Sequence, residues 1–203
     1  MKRRIITFLL ALVLVFSPVR VTAEGEQTYL TEDLISYKIA EDSDGEYVVI
    51  TDYAGSAIAG KGTELVIPDM IDGRPVKRID HDAFCSCIEL ASVTIPETVT
   101  SIGYRAFENC SYLERVTLPE SITSIGHSVF QDCVRLKDVN IPGGLTTLEL
   151  EMFAGCTSLT NVTIPEGVTY IDVNVFSGCT GLTADGLKVG DDILFASQQR
   201  RQF

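Results

Sequence analysis

The sequence predicts a solenoid, in which the chain winds into stacked coils of short β-strands and compact turns. Three observations support this fold class. Apolar residues recur at a fixed spacing of 23 positions, strand-like alternation occupies the same place in each repeat, and a proline follows each alternating segment. A period of about 20 to 50 residues indicates a repeat architecture in which each unit packs only against its neighbours.

The repeat is visible as columns that each hold one residue type. The phenylalanine column contains Phe84, Phe107, Phe130, Phe153 and Phe176. The cysteine column contains Cys87, Cys110, Cys133, Cys156 and Cys179. The leucine column contains Leu90, Leu113, Leu136, Leu159 and Leu182. Because chance does not produce such a register, we expect each unit to be one coil whose column residues point inward and stack on those of adjacent coils.

A single repeat illustrates the elements that we expect in every coil. Residues 113–118 alternate as a strand does, and Pro119 ends that strand because proline cannot donate to a continuing ladder. A second short extended piece follows at residues 122–125. The turn that then carries Phe130 and Cys133 inward is too short for a full helix, so we expect a single turn of 3₁₀- or α-helix there.

Both ends of a solenoid need caps, because end coils would otherwise present unpaired strand edges. Strand-like segments at residues 36–40 and 47–52, joined by a turn at Asp44-Gly45, predict a β-hairpin that caps the N-terminal end. A weaker C-terminal cap is predicted from apolar residues that follow the last repeat. These residues are Leu187, Val189, Ile193, Leu194 and Phe195.

The first coil departs from the regular repeat by an insertion. Residues 70–76, with Asp72-Gly73 and Pro75, are typical of a turn that protrudes from the coil. We expect Met70 and Ile71 in this loop to offer a small exposed apolar contact.

The N-terminus has the features of a secretory signal peptide. Lys2, Arg3 and Arg4 precede an apolar run at residues 5–16, and a small-residue cleavage site ends at Ala23. As a helix that run reaches about 18 Å, short of the roughly 30 Å hydrocarbon core of a bilayer. The predicted domains are therefore a signal peptide (1–23), an N-terminal β cap (24–64), a solenoid of five coils (65–182) and a C-terminal cap and tail (183–203).

The predicted mature chain is strongly acidic. Cleavage after Ala23 leaves 12 basic against 28 acidic residues, which changes the formal net charge from −12 to −16. Such a surface repels phosphate backbones and anionic lipid, so neither nucleic acid nor a membrane is an expected partner. We expect a secreted or cell-surface protein with no membrane span.

The repeat reads Pro-x-x-Val-Thr-x-Ile-x-x-x-Ala-Phe-x-x-Cys-x-x-Leu-x-x-Val-x-Ile and resembles the leucine-rich repeat of BspA-like surface proteins. The resemblance covers residues 65–182 and implies a leucine-rich-repeat solenoid. Members of that family are extracellular or surface proteins of bacteria and some protozoan parasites that are implicated in adhesion to host matrix proteins and other cells. The resemblance therefore implies adhesion or protein binding.

Five of the six cysteines occupy one inward column, with one cysteine in each coil. The spacing of neighbouring coils would permit disulfides, but parallel Cα–Cβ vectors do not readily give the torsion of about 90° that a disulfide needs. We therefore favour free buried thiols that pack as small apolar side chains.

The residues that could act in catalysis or bind a metal, Cys85, Cys87 and the two histidines, form no catalytic or metal-binding pattern. Cys85 lies in a column of outward positions, so an exposed thiol is predicted, and a zinc site from Cys85 and Cys87 would need further ligands nearby. His81 and His127 share a column with Tyr104 between them and should lie roughly 10 Å apart, too far to share a metal. We expect no cofactor, no metal and no enzymatic activity.

The outward side chains of the main strands are the candidate partner-binding face. They are Ser92, Thr94, Arg115, Thr117, Asp138, Asn140, Asn161 and Thr163. This face is polar and lacks aromatic residues, which favours contact with a protein, such as a host matrix or bacterial surface protein, over sugar stacking. The alternative is a structural envelope or spacer repeat without a specific ligand, in which threonine serves only strand formation.

Overall fold

The computed structural model describes residues 21–23, 26–31, 33–54, 63–183, 186–188 and 194–195. The predicted signal peptide therefore lies outside the described residues, except for positions 21–23. Val189, Ile193 and the tail of the predicted C-terminal cap also lie outside them. The strands in chain order are β1 Val21–Ala23, β2 Glu26–Leu30, β3 Ile35–Asp42, β4 Gly45–Tyr53, β5 Thr63–Val66, β6 Met70–Ile71, β7 Arg74–Ile79, β8 Leu90–Thr94, β9 Ser101–Ile102, β10 Arg115–Thr117, β11 Ser124–Ile125, β12 Asp138–Asn140, β13 Thr147–Leu148, β14 Asn161–Thr163, β15 Tyr170–Ile171, β16 Leu187–Lys188 and β17 Leu194–Phe195.

The strands form a β-solenoid in which each coil contributes to two sides. The first sheet has the order β16-β14-β12-β10-β8-β5, and all its strands are parallel. The second sheet has the order β1-β2-β3-β4-β7-β9-β11, and a third sheet, β13-β15-β17, succeeds it along the solenoid. The solenoid predicted from the 23-residue spacing is thus confirmed.

A row of stacked phenylalanine rings runs through the core. Phe107 and Phe130 are fully buried, and their ring centroids lie 5.6 Å apart at an interplanar angle of 11°. The other neighbouring pairs in the column are also stacked, at centroid distances of 4.9 to 5.8 Å. Each such pair contributes about 0.5–1.5 kcal/mol beyond the burial of its apolar area.

The cysteine column lies beside the phenylalanine row, buried as predicted. All six cysteines carry free thiols, and those of the column make a contact that the spacing alone did not reveal. The thiol of Cys110 donates to the backbone carbonyl of Phe84 at 3.1 Å, and Cys133 and Cys156 make the equivalent bond to Phe107 and Phe130. The thiols therefore satisfy carbonyl groups of the preceding coil.

The segments between the second strand of each coil and the next first-sheet strand are turns, so the predicted turn of 3₁₀- or α-helix is wrong. Two positions in every coil have a left-handed backbone, which no right-handed helix accommodates. The first position holds Asp82, Arg105, Ser128, Glu151 and Asn174, with φ between 55° and 58°. The second holds Ser86, Asn109, Asp132, Gly155 and Gly178, with φ between 57° and 76°. We call the segments 83–87, 106–110, 129–133, 152–156 and 175–179 the Phe–Cys side.

The N-terminal cap is the predicted hairpin, formed by β3 and β4. Its turn lies at Ser43 and Asp44, one residue earlier than expected, and Gly45 begins β4 with a φ of 115°. Strand β4 pairs in parallel with β7, and the Tyr53 ring packs 5.6 Å from that of Phe84. The hairpin thus extends the second sheet and covers the first ring of the phenylalanine row. Strands β1 and β2 add a further antiparallel pair that the sequence did not predict.

The insertion in the first coil forms a small hairpin, in which β6 pairs antiparallel with β7. Met70 is 46% exposed, but Ile71 is only 7% exposed, so the expectation that both offer an exposed apolar contact is wrong for Ile71. The tip of this hairpin is tied to the cap, because the Tyr37 hydroxyl donates to the Asp72 carboxylate. Ile71, next to Asp72, lies in the core.

The break between β11 and β13 coincides with the loss of a glycine. A Cβ added to Gly126 would lie 2.5 Å from the backbone nitrogen of Tyr104, and one added to Gly103 would lie 2.6 Å from that of His81. Both glycines therefore allow a close approach of neighbouring coils. The equivalent residue of the next coil is Glu149, and there the sheet ladder stops. It resumes one coil later, where the Asp172 amide donates to the Leu148 carbonyl at 2.9 Å.

Candidate functional site

The outward residues of the first sheet form one continuous surface, which we call the strand face. Of the eight predicted residues, seven are exposed and Ser92 is partly buried. In strands β8, β10, β12 and β14 they alternate with the buried valines of the core. The structure therefore brings all eight together as the alternation predicted.

The parallel register arranges these residues in two rows. Arg115 pairs with Ser92 on one side and with Asp138 on the other, and Asp138 in turn pairs with Asn161. The centre of this row therefore places a guanidinium beside a carboxylate on neighbouring strands. The second row follows the positions Thr94, Thr117, Asn140 and Thr163.

Asn140 differs from the threonines of its row because it is engaged in a contact between coils. Its Nδ2 donates to the Leu118 carbonyl at 2.7 Å, and its Oδ1 accepts from the Leu118 amide at 3.2 Å. This side chain therefore extends the backbone ladder. It stabilises the strand face, and its amide group is already engaged within the protein.

An ion pair borders the strand face. Lys137 Nζ lies 2.7 Å from Glu114 Oε2, and Arg135 Nη1 lies 4.0 Å from Glu114 Oε1. The hydrogen bond from Lys137 and its charge hold the pKa of Glu114 below its usual value. Because both partners are exposed, such a pair contributes little to stability.

An aromatic row on another side of the solenoid was only partly foreseen. His81, Tyr104 and His127 share a column as expected. The His81 and Tyr104 rings are tilted at 32° with centroids 4.2 Å apart, and the Tyr104 and His127 rings stack at 5.2 Å. The Tyr104 amide also donates to His81 Nδ1 at 3.1 Å, which fixes the orientation of that ring. The 23-residue spacing of these three residues was the sequence signal from which the contacts between their rings could have been predicted.

Among the described residues, Asp82, Cys85 and Glu108 form a group whose potential metal-ligand atoms lie within 4.8 Å of one another. Cys87 is buried in the core column and does not belong to it. Arg105 already pairs with both carboxylates, and burial, with the nearby acidic groups, raises the pKa of the Cys85 thiol. A protonated thiol beside a guanidinium is a poor donor set for a cation. The outward column of Cys85 predicted an exposed thiol, but in the structure Cys85 is partly buried.

The model of the BspA type leucine-rich repeat region matches residues 63–184 in six copies. This chain belongs to that family. Leucine-rich repeat families are generally protein-binding scaffolds without catalytic activity, and their strands and turns supply the surface that a partner contacts.

Solved structures of bacterial leucine-rich repeat proteins are similar to this family member. A leucine-rich repeat protein of T. pallidum is 28% identical and aligns with a TM-score of 0.65, covering 81% of this chain and 84% of its own. A leucine-rich repeat protein from Bacteroides capillosus is also 28% identical, with a TM-score of 0.56 and coverage of 66% of this chain and 96% of its own.

A leucine-rich cell surface protein from Faecalibacterium prausnitzii is 27% identical, with a TM-score of 0.50 over 88% of this chain. This chain spans 58% of the length of that protein. A comparison with curated proteins gave no significant match. Within the described residues, no helix has the length and apolar character needed to cross a bilayer.

Proposed function

We propose that this chain is a secreted or cell-surface module that binds a protein partner through the strand face. The observation that carries the proposal is the continuous parallel register of β8, β10, β12 and β14, which holds the eight outward residues in two rows. At about 4.8 Å between strands, these four strands present a surface roughly 15 Å long. That length suits an extended segment of a partner.

The composition of the strand face supports a protein partner. The face combines hydroxyl and amide groups with one basic and one acidic residue, Arg115 and Asp138, at its centre. A guanidinium next to a carboxylate recognises a partner that carries the complementary pair, because each bond between charged groups is stronger than one between neutral groups. Fixed charges of this kind favour specificity.

The proposed location rests on the N-terminal segment and on the relatives. The basic residues and apolar run of positions 1–23 are typical of a signal peptide, and the similar protein from Faecalibacterium prausnitzii is described as a cell surface protein. We accordingly propose a cap at 24–64, repeats at 65–182 and a C-terminal cap and tail at 183–203. The proposed partner is a host matrix or bacterial surface protein, to which the module adheres.

The test is a binding panel of purified host matrix proteins and bacterial surface extracts against the chain. For any partner that binds, replacement of Arg115 and Asp138 together with alanine should weaken the affinity tenfold or more, which corresponds to about 1.4 kcal/mol. The melting temperature should stay nearly unchanged, since both side chains are exposed.

A matched control removes the ion pair of Arg74 in β7 with Glu46 in β4, whose side chains are 2.7 Å apart and lie outside the strand face. The Arg74→Ala, Glu46→Ala variant also leaves the net charge unchanged and should bind as the wild type does. Wild-type affinity in the Arg115→Ala, Asp138→Ala variant would move the site away from the strand face. Failure of every member of the panel to bind would favour the envelope or spacer role.

A further inference from the structure

A second candidate site lies on the second sheet, where the β3–β4 hairpin joins β7. An open cleft of about 850 Å³ occupies this junction, within the usual range of about 300–1,000 Å³ for small-ligand sites. The cleft is lined by Tyr29, Lys38, Tyr47, Arg78, Asp80 and His81. None of these residues belongs to the strand face.

The charges of the cleft centre on one carboxylate that two cations share. Lys38 Nζ lies 3.2 Å from Asp80 Oδ2, and Arg78 Nη2 lies 3.1 Å from Asp80 Oδ1. The Asp80 side chain is 17% exposed. Burial acts to raise its pKa, but hydrogen bonds from the His81 amide and Lys38, together with the two positive charges, keep that pKa below its usual value. Asp80 is therefore a permanent carboxylate at neutral pH.

The Arg78 guanidinium has unused binding capacity. Its side chain is 40% exposed, and among the described residues Asp80 is its ion-pair partner. A guanidinium carries five N–H donors in a planar fork, so the bond from Nη2 to Asp80 leaves donors for a second acceptor. A carboxylate is an acceptor whose geometry fits such a fork.

The walls of the cleft supply flat rings and neutral polar groups. His81 accepts the Tyr104 amide at Nδ1, so its neutral form carries the proton on Nε2 and offers a donor. The His81 ring packs against that of Tyr104 at 4.2 Å with a tilt of 32°, and Tyr29 stacks on Tyr37 at 5.2 Å. Tyr47 adds a third ring, over which the Lys77 ammonium lies at 5.6 Å from the centroid. Rings held in place offer apolar faces at little cost in side-chain entropy.

We propose that this cleft binds a sugar acid, meaning a hydroxylated ring that carries a single carboxylate. The carboxylate pairs with Arg78, the hydroxyl groups donate to Asp80 and accept from His81, and a face of the sugar ring packs on the tyrosines. A polyanion fits less well, because the carboxylates of Asp80 and Glu46 line the cleft and the chain has a formal net charge of −12. A purely apolar ligand would leave these charged groups desolvated without partners.

The experiment is a titration of the chain with methyl β-D-glucuronide, followed by amide chemical shifts in NMR spectra. The shifts should change at residues 38–49 and 78–81, and methyl β-D-glucoside, the neutral counterpart, should bind at least tenfold more weakly. Arg78→Gln should lower the affinity for the glucuronide at least tenfold. Tyr170→Ala, an exposed tyrosine at the far end of the solenoid, and Arg115→Ala should leave it unchanged.

The ion pair of Arg78 is partly exposed, so we expect Arg78→Gln to remain folded. If it unfolds, Arg78→Lys keeps the charge but removes the planar fork and should also weaken binding. Equal binding of glucuronide and glucoside would overturn the proposal, as would wild-type affinity in the Arg78 variants or shifts that map elsewhere. Benzoate binding as tightly as the glucuronide would show that the hydroxyl groups play no part, which also overturns it. Since Arg115→Ala affects only the strand face, each site fails or survives independently.

Discussion

The Phe–Cys side and the second sheet differ in how continuously backbone hydrogen bonds connect the coils. Along the Phe–Cys side, a backbone bond joins every pair of neighbouring coils, from Phe84 to Ala106 at 2.8 Å through to Phe153 to Val175 at 2.9 Å. Along the second sheet, the ladder stops between β11 and β13. On the Phe–Cys side, stacked rings, thiol bonds and backbone bonds all reinforce one spacing, whereas the repeat strands β9 and β11 of the second sheet have only two residues each.

The buried side chains show which of these interactions matters more for the fold. Ile125 and Leu148, on either side of the break, remain buried in the same core as all the other column residues. Side-chain packing therefore continues where the backbone ladder does not. The comparison indicates that stacking of the core columns holds the coils in register and that the second sheet follows from it.

The strongest test of this comparison is the removal of a ring from the middle of the row. Phe130→Ala should lower the free energy of unfolding by about 3–5 kcal/mol, because it empties a fully buried site between two stacked rings. Denaturant unfolding measures the loss. Thr123→Ala, at an exposed position directly before β11, is the control. A loss below about 1 kcal/mol would contradict the importance given to the ring row.

The role of the close-approach glycine is tested by adding a single methyl group. Gly126→Ala should cost about 1–3 kcal/mol, because the new Cβ would lie 2.5 Å from the Tyr104 backbone nitrogen and the coils must move apart. Gly143→Ala is the matched control, since its nearest atom is the flexible Glu120 side chain at 3.5 Å, and it should change stability by less than about 0.5 kcal/mol. Equal effects of the two substitutions would show that the close approach is unimportant.

The thiols of the Phe–Cys side predict a loss of stability in alkali. Burial raises the pKa of Cys179 to about 11 from 9.0, and it raises the pKa of Cys156 further. Unfolded thiols release their protons above about pH 9 while the folded ones retain them, so stability is complete below that pH and declines as the pH rises. Urea unfolding should show that Cys156→Ala loses less stability than the wild type between pH 7 and 10, by about 1.4 kcal/mol.

A variant that removes buried volume but no thiol serves as the control for this pH dependence. Val129→Ala empties part of the same core and should lower stability equally at both pH values. If Cys156→Ala and Val129→Ala show the same change with pH, the buried thiols do not cause the alkaline loss.

The smallest expected effect concerns local opening at the break. The Thr123 amide donates to the Thr100 carbonyl at 3.0 Å and the Thr169 amide to the Thr146 carbonyl at 2.9 Å, but the described bonds include none from the Thr146 amide to Thr123. Hydrogen exchange of the Thr146 amide should therefore be about tenfold faster than that of Thr123 or Thr169. Equal protection of all three amides would mean that the ladder is continuous in solution.

The sequence predicted what depends on apolar side chains at regular spacing. The burial of the Phe130 and Cys133 columns, the short strands and the outward direction of Arg115 all follow from the period of 23 residues and from strand alternation. The N-terminal hairpin was also predictable, because Asp44-Gly45 separates two segments of strand-forming residues.

The features that escaped prediction depend on backbone conformation and on contacts between distant segments. The first left-handed position is filled by residues as different as Arg105 and Glu151, so residue type gave no sign of it. The second holds Asn109, Asp132 and Gly155, types that favour a left-handed backbone, and this signal was missed. The contact between Tyr37 and Asp72, next to the buried Ile71, joins segments that are 35 residues apart. The double bond of Asn140 to Leu118 and the cleft at Arg78 likewise require coordinates of both partners.

The left-handed positions also bear on how such a protein grows. Because every coil enters and leaves its turn with the same two backbone conformations, duplication of one 23-residue unit preserves the direction of the chain and the register of both neighbours. Each added coil lengthens the surface by about 4.8 Å and supplies two further outward side chains. Copy number is thus a heritable control of the reach of the molecule, adjustable by recombination between repeats without redesign of the core.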